Sequence, residues 1–186
     1  MNPDTAIEEC HLADARATRE LGRRLAERLS EAPVGARGGA LLLLRGELGA
    51  GKTCLVQGLA EGLGISEPIT SPTFALAQHD PGALDGAAKI GTTVPRALVH
   101  LDLYRLEQPA AADELFVQEE EEARAMGAVM AVEWPERLSF VPEGAWTVGL
   151  EIVGEQRWAR ITMDMHSADD SSAAGHPPGG SEGDEA

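Results

Sequence analysis

Gly46-Glu47-Leu48-Gly49-Ala50-Gly51-Lys52-Thr53 fits G-x-x-x-x-G-K-[ST], the spacing of a phosphate-binding loop. Before it, Ala40-Leu41-Leu42-Leu43-Leu44 is an apolar run of strand length, which predicts a parallel strand buried on both faces. After it, Leu55, Val56, Leu59 and Leu63 recur at helical spacing, and Gly62 and Gly64 mark the stop. The glycines let the backbone take positive φ and approach an anion closely. The loop N–H groups then form a concave nest at the positive end of the helix dipole. Lys52 is expected to supply a mobile point charge for the β and γ phosphates, and the Thr53 hydroxyl can ligate Mg²⁺. The plainer reading is a glycine-rich turn with a chance lysine. It fails because strand, loop and helix agree, and because the only lysines of an arginine-rich chain are Lys52 and Lys89.

The chain of 186 residues is long enough for one α/β domain with a real core and too short for two. Its formal net charge of −16 argues against intrinsic binding to nucleic acid or an anionic membrane, so any contact with RNA is expected to be lent by a partner. Cys10 and Cys54 make neither a disulfide framework nor a metal cluster. Cys54 reads as a small buried apolar side chain. No charged-then-apolar leader opens the chain and no apolar run has the length of a membrane span, so the expectation is a soluble, cytoplasmic protein.

Residues 1–10 read as loose or as a short edge strand. Asp14 is the expected N-cap of a helix reaching Ser30, with Thr18, Leu21, Leu25 and Leu29 as its apolar stripe. Ile69-Thr70-Ser71-Pro72-Thr73-Phe74 reads as an extended segment or stiff turn whose hydroxyls are candidate sensors of the γ-phosphate. Residues 79–96 read as a flexible insertion. The run Ala97 to Asp102 is strand-like and ends on an acid, as does Ala128 to Glu133. An acid at the carboxyl end of a buried parallel strand faces the crevice where α/β sheets bind ligands. Asp102 and Glu133 therefore compete for the metal-side or water-orienting role, and spacing alone does not rank them. His100 reads as a core or second-layer histidine. Residues 110–126 predict an acidic helix packed through Leu115 and Phe116, with Glu119 to Glu122 on a solvated face. Thr147 to Met163 alternates as a β-hairpin turning at Gly154 to Arg157. Residues 166–186 carry acids but no lysine or arginine, and read as a disordered tail behind a domain of residues 1–165.

GELGAGKT, ITSPTF, HLDLYRL and VEWPER, in this order, resemble the TsaE (YjeE) family, the P-loop ATPase of bacterial tRNA threonylcarbamoyladenosine biosynthesis. The resemblance spans roughly residues 12–163. It implies a three-layer α/β P-loop NTPase with a mainly parallel central sheet and a C-terminal antiparallel β-hairpin. It implies ATP and Mg²⁺ as cofactors. Gly49, Ala50, Gly51, Lys52, Thr53 and Cys54 would hold the phosphates, with Thr53 and Glu133 on the metal side and Lys52, Asp102 and Glu133 serving hydrolysis. Ser71 and Thr73 would belong to a switch segment, Trp134 would lie near the nucleotide, and Asp14, Gln156 and Arg157 would approach the base. The partners implied are the TsaB and TsaD subunits, whose threonylcarbamoyl transfer to the adenosine beside the anticodon of ANN-decoding tRNAs the ATPase supports. Cys54 departs from a frequent second threonine of the family.

Three other readings compete. A small-molecule P-loop kinase would need an acceptor pocket and an arginine-bearing lid, and residues 79–96 are poor in arginine. A GTP switch would use N-K-x-D, and the chain has no asparagine beyond Asn2. A nucleotide-binding module without hydrolysis leaves Asp102 and Glu133 without a purpose.

Overall fold

The structure is a computed structural model, and it describes residues 5–30, 40–70, 72, 77–80 and 97–164. Eleven elements follow in order: β1 (Thr5–Leu12), α1 (Ala15–Ser30), β2 (Ala40–Arg45), α2 (Lys52–Gly62), β3 (Ala77–Asp80), β4 (Leu98–Asp102), α3 (Pro109–Met126), β5 (Val129–Glu133), a 3₁₀ turn (Pro135–Arg137), β6 (Trp146–Val153) and β7 (Gln156–Asp164). One seven-stranded sheet runs β1-β7-β6-β2-β5-β4-β3. Its centre, β6-β2-β5-β4, is parallel, and antiparallel strands close both flanks.

Three of these four strands, β2, β5 and β4, have sequences that can be buried on both faces, as parallel strands are, whereas β6 is partly exposed. All residues of β4 and β5, and Ala40 to Leu44 of β2, are buried. Alternate β2 residues enter opposite cores. Leu42 and Leu44 pack with Leu55, Val56 and Leu59 of α2 and Leu21, Leu25 and Leu29 of α1. Leu41 and Leu43 pack with Ala112, Phe116 and Ala123 of α3. These two cores make the three layers.

The expected edge strand at the N-terminus is β1, eight residues long and paired antiparallel with β7. Asp14 caps α1, its Oδ1 accepting from Ala17 N at 2.7 Å. Two expectations are corrected. His79 and Asp80, assigned to the insertion, lie in β3, whose four residues are paired with β4; residues 81–96 are outside the described set. Glu119, assigned to a solvated face, is 6 % exposed because His79 Nε2 bonds its Oε2 at 2.5 Å across the β3–α3 junction. The hairpin turn is also shorter than expected. Val153 pairs with Gln156, so Gly154 (φ 65) and Glu155 alone make it, and Gln156 and Arg157 begin β7. The acidic tail, residues 166–186, lies outside the described residues.

α1 lies directly on α2, backbone against backbone. A Cβ at Gly58 would stand 2.1 Å from the Arg19 carbonyl oxygen, and one at Gly22 would stand 2.3 Å from that of Leu55. Neither obstacle is a side chain that can swing away. Gly58→Ala therefore forces the helices apart and is expected to cost about 2 kcal/mol or more of unfolding free energy, as overpacking does. Gly149→Ala, whose Cβ meets only Arg160 O at 3.9 Å, is the control and should change stability by less than about 0.5 kcal/mol. Urea unfolding of the two variants measures both; equal midpoints would show that α1 and α2 are not in backbone contact.

Candidate active site

The register of the parallel strands assembles the site. β2 leads straight into the glycine loop, Leu44 lies opposite Glu133, and Asp102 lies opposite Glu133. The loop and both acids are thereby brought to the carboxyl edge of the sheet, where open α/β folds bind ligands. A cleft of about 270 Å³ opens there. Gly49, Gly51, Lys52, Thr53 and Cys54 form one wall, and Asp102, Glu133 and Trp134 face them.

Gly46, Gly49 and Gly51 take φ of 140°, 82° and 111°, a region L side chains avoid. Gly51 is the N-cap residue of α2, and no side chain among the described residues caps it. The first N–H groups of a helix have no intrahelical partner. With the loop glycines they form an anion cradle of donors. Ala50 is buried behind the loop, 1 % exposed, its N–H held by the Glu47 carbonyl at 3.1 Å.

Lys52 is 4 % exposed. Its Nζ donates to the Gly46 carbonyl at 2.7 Å and to that of Glu47 at 3.0 Å, and it stands 4.1 Å from the centroid of the Trp134 ring. Burial pushes its pKa below 10.5, opposed by the negative charges of Glu133, Glu136 and Asp102. Trp134 is the only non-glycine residue at positive φ among those described, at 61°. Such a conformation costs about 1–3 kcal/mol and persists where neighbours enforce it. Here Trp134 N donates to the Leu44 carbonyl at 3.2 Å and the Tyr104 ring packs at 4.8 Å.

Thr53 Oγ1 donates to Glu133 Oε1 at 3.0 Å, and His100 Nε2 meets the same oxygen at 2.9 Å. A hydroxyl and a carboxylate so joined are hard-oxygen donors, the chemistry Mg²⁺ takes. Of the two candidate acids, Glu133 is the one bonded to the loop threonine. Asp102 Oδ1 instead accepts from Tyr104 N at 2.9 Å, which turns the chain out of β4. His100 is fully buried, in the second layer that the sequence suggested.

Cys54 corrects an expectation: it is half-buried rather than enclosed, lines the cleft, and donates through Sγ to Ala15 O at 3.4 Å. Burial pushes its thiol pKa up. Asp14, Gln156 and Arg157 do not line this cleft. Asp14 caps α1, and Arg157 lies opposite Leu12, just before α1 begins. Ser71 and Thr73 are outside the described residues. Sequence reasoning missed Leu48 and Tyr104 as lining residues. Leu48 is 74 % exposed, an apolar side chain at the crest of a polar loop, and that mismatch was the available signal.

The profile of the family described as "Threonylcarbamoyl adenosine biosynthesis protein TsaE" matches residues 12–161. The chain is 39 % identical over 153 residues to the tRNA threonylcarbamoyladenosine biosynthesis protein TsaE of Nostoc sp., covering 81 % of this chain and 83 % of that one. It is 40 % identical over 137 residues to the protein so named from Synechocystis sp., covering 72 % and 74 %. In structure it resembles Bacillus subtilis YdiB with a TM-score of 0.56, at 23 % identity over 86 % of this chain and 87 % of that one, a likeness of fold.

Because the fold lowers the pKa of Lys52, the unfolded chain holds the proton at pH values just under 10.5 where the folded chain has begun to release it. Stability carried by Lys52 therefore rises with pH there, while at neutral pH the buried ammonium is a standing cost. The margin of Lys52→Met stability over the parent should fall from pH 7 towards pH 10, as the parent gains stability and the variant does not. Urea unfolding of both proteins at pH 7 to 10 measures it; a margin that grows with pH would refute the cause given.

Proposed function

The chain belongs to the TsaE family of tRNA threonylcarbamoyladenosine biosynthesis, and from that premise we propose that it is a Mg²⁺-dependent ATPase. We further propose that it acts with the TsaB and TsaD subunits, in the cytoplasm, to support repeated threonylcarbamoyl transfer to the adenosine beside the anticodon of ANN-decoding tRNAs. The observation that carries the ATPase reading is the bond from Thr53 to Glu133, formed directly beside Lys52 at the mouth of the glycine loop.

In this reading the loop and the first N–H groups of α2 bind the phosphates, and their glycines keep side chains out of the way. Lys52 exchanges its carbonyl partners for phosphate oxygens, and Trp134 covers its ammonium and keeps water off. Thr53 and Glu133 would hold Mg²⁺, which when bound neutralises the charge of the phosphate oxygens. Asp102, fixed by the Tyr104 N–H, orients the attacking water. With a formal net charge of −16, the chain relies on its partners for contact with tRNA. No described helix is long and apolar enough to cross a membrane.

The test is ATP hydrolysis with and without TsaB and TsaD, with GTP and small phosphoryl acceptors as controls. Stimulation by the subunits is expected; phosphorylation of an acceptor would favour a small-molecule kinase instead. Lys52→Ala should abolish hydrolysis, since the clamp on the β and γ phosphates is gone. Asp102→Ala should keep ATP binding and slow hydrolysis by about 10²- to 10⁴-fold, the range for one lost acid–base group. Loss of binding in Asp102→Ala would make that residue structural.

A further inference from the structure

We infer that His100 is a positioning residue that holds Glu133 for the cation accompanying the nucleotide; this rests on the Mg²⁺-nucleotide reading above. β4 is Leu98-Val99-His100-Leu101-Asp102, and the His100 imidazole is 0 % exposed. Burying a polar ring there costs free energy unless it is hydrogen-bonded. One bond is made, from Nε2 to Glu133 Oε1 at 2.9 Å; Nδ1 has no partner among the described residues. A histidine kept for packing alone would be better replaced by leucine, which leaves no nitrogen unpaired. The single bond to Glu133 is thus what distinguishes histidine from an aliphatic residue at this position.

The register explains how the ring reaches. His100 lies opposite Ala131, and Asp102 lies opposite Glu133, so His100 and Glu133 are diagonal neighbours on one face. The methyl of Ala131 leaves the space between them open to the imidazole. Glu133 Oε1 also accepts from Thr53 Oγ1, so the oxygen is an acceptor and Nε2 must carry the hydrogen. Thr53 and His100 hold the same oxygen from α2 and from β4, two elements that belong to different parts of the chain. Thr53 would offer its oxygen to the cation, whereas His100 would keep its bond to Glu133 whether or not the cation is present.

The experiment is titration of a fluorescent ADP analogue into His100→Leu, His100→Gln, His100→Asn and the parent, each in Mg²⁺ and in EDTA. Gln carries its amide nitrogen about where Nε2 stands, and Asn carries its own about where Nδ1 stands, out of reach of Glu133. In the parent, Mg²⁺ should tighten binding. His100→Leu and His100→Asn should lose about 10- to 100-fold of that tightening with EDTA affinity unchanged, as partners behind metal ligands do, and His100→Gln should recover most of it. Full tightening retained in His100→Leu or His100→Asn overturns the inference, as do equal losses in Mg²⁺ and EDTA or a His100→Gln no better than His100→Asn. Should His100→Leu not fold, the Gln and Asn pair decides alone. A parent whose affinity ignores Mg²⁺ would instead sink the metal reading of the site, and this inference with it.

Discussion

A hydroxyl and a carboxylate 80 residues apart in sequence, Thr53 and Glu133, are joined at 3.0 Å, and that bond ties the glycine loop to the carboxyl edge of the sheet. Neither group could be placed there by its own element. Thr53 is the second residue of α2, whose start is fixed by a glycine loop at positive φ. Glu133 is the last residue of β5, whose position is fixed by pairing with β2 on one side and β4 on the other. A one-residue slip in either ladder would turn the carboxylate to the opposite face of the sheet. The hydrophobic pattern forbids the slip, because the same strands must send Leu42 and Leu44 into one core and Leu41 and Leu43 into the other. Core packing thus sets the geometry of a polar site.

The site also holds features that local preference opposes. Trp134 sits at φ 61 between a strand and a proline. Lys52 is buried on two carbonyls and an aromatic face, with its pKa pushed down by that burial. His100 carries an unpaired ring nitrogen in the middle of a buried strand. Each costs stability, and all three lie within one contact of the cleft. Such concentration is what a binding site shows when rigid scaffold is used to hold reactive groups away from water.

Much of this was legible in the sequence. The loop was read from spacing, and β2, β4 and β5 from apolar runs too long and too continuous for half-exposed strands. The ends of those runs gave Asp102 and Glu133, because a parallel strand that stops on an acid leaves it at the ligand edge. The sequence could not choose between them. Which of them meets Thr53 is set by which strand neighbours β2, and pairing order is a property of the whole sheet rather than of any window. Glu119 was misread for a similar reason: a run of four glutamates looks solvated, and only its meeting with His79 on β3 buries one of them. Leu48 and Tyr104 were passed over because lining a cleft leaves no periodic trace.

The most direct measurement is anomalous diffraction from crystals grown with Mn²⁺ and an uncleavable ATP analogue. The account predicts a metal peak within bonding distance of Thr53 Oγ1, on the Glu133 side of the cleft, with the triphosphate cradled by Gly49 to Lys52. A nucleotide bound elsewhere, or a metal held by Asp102 with Thr53 still bonded only to Glu133, would contradict it.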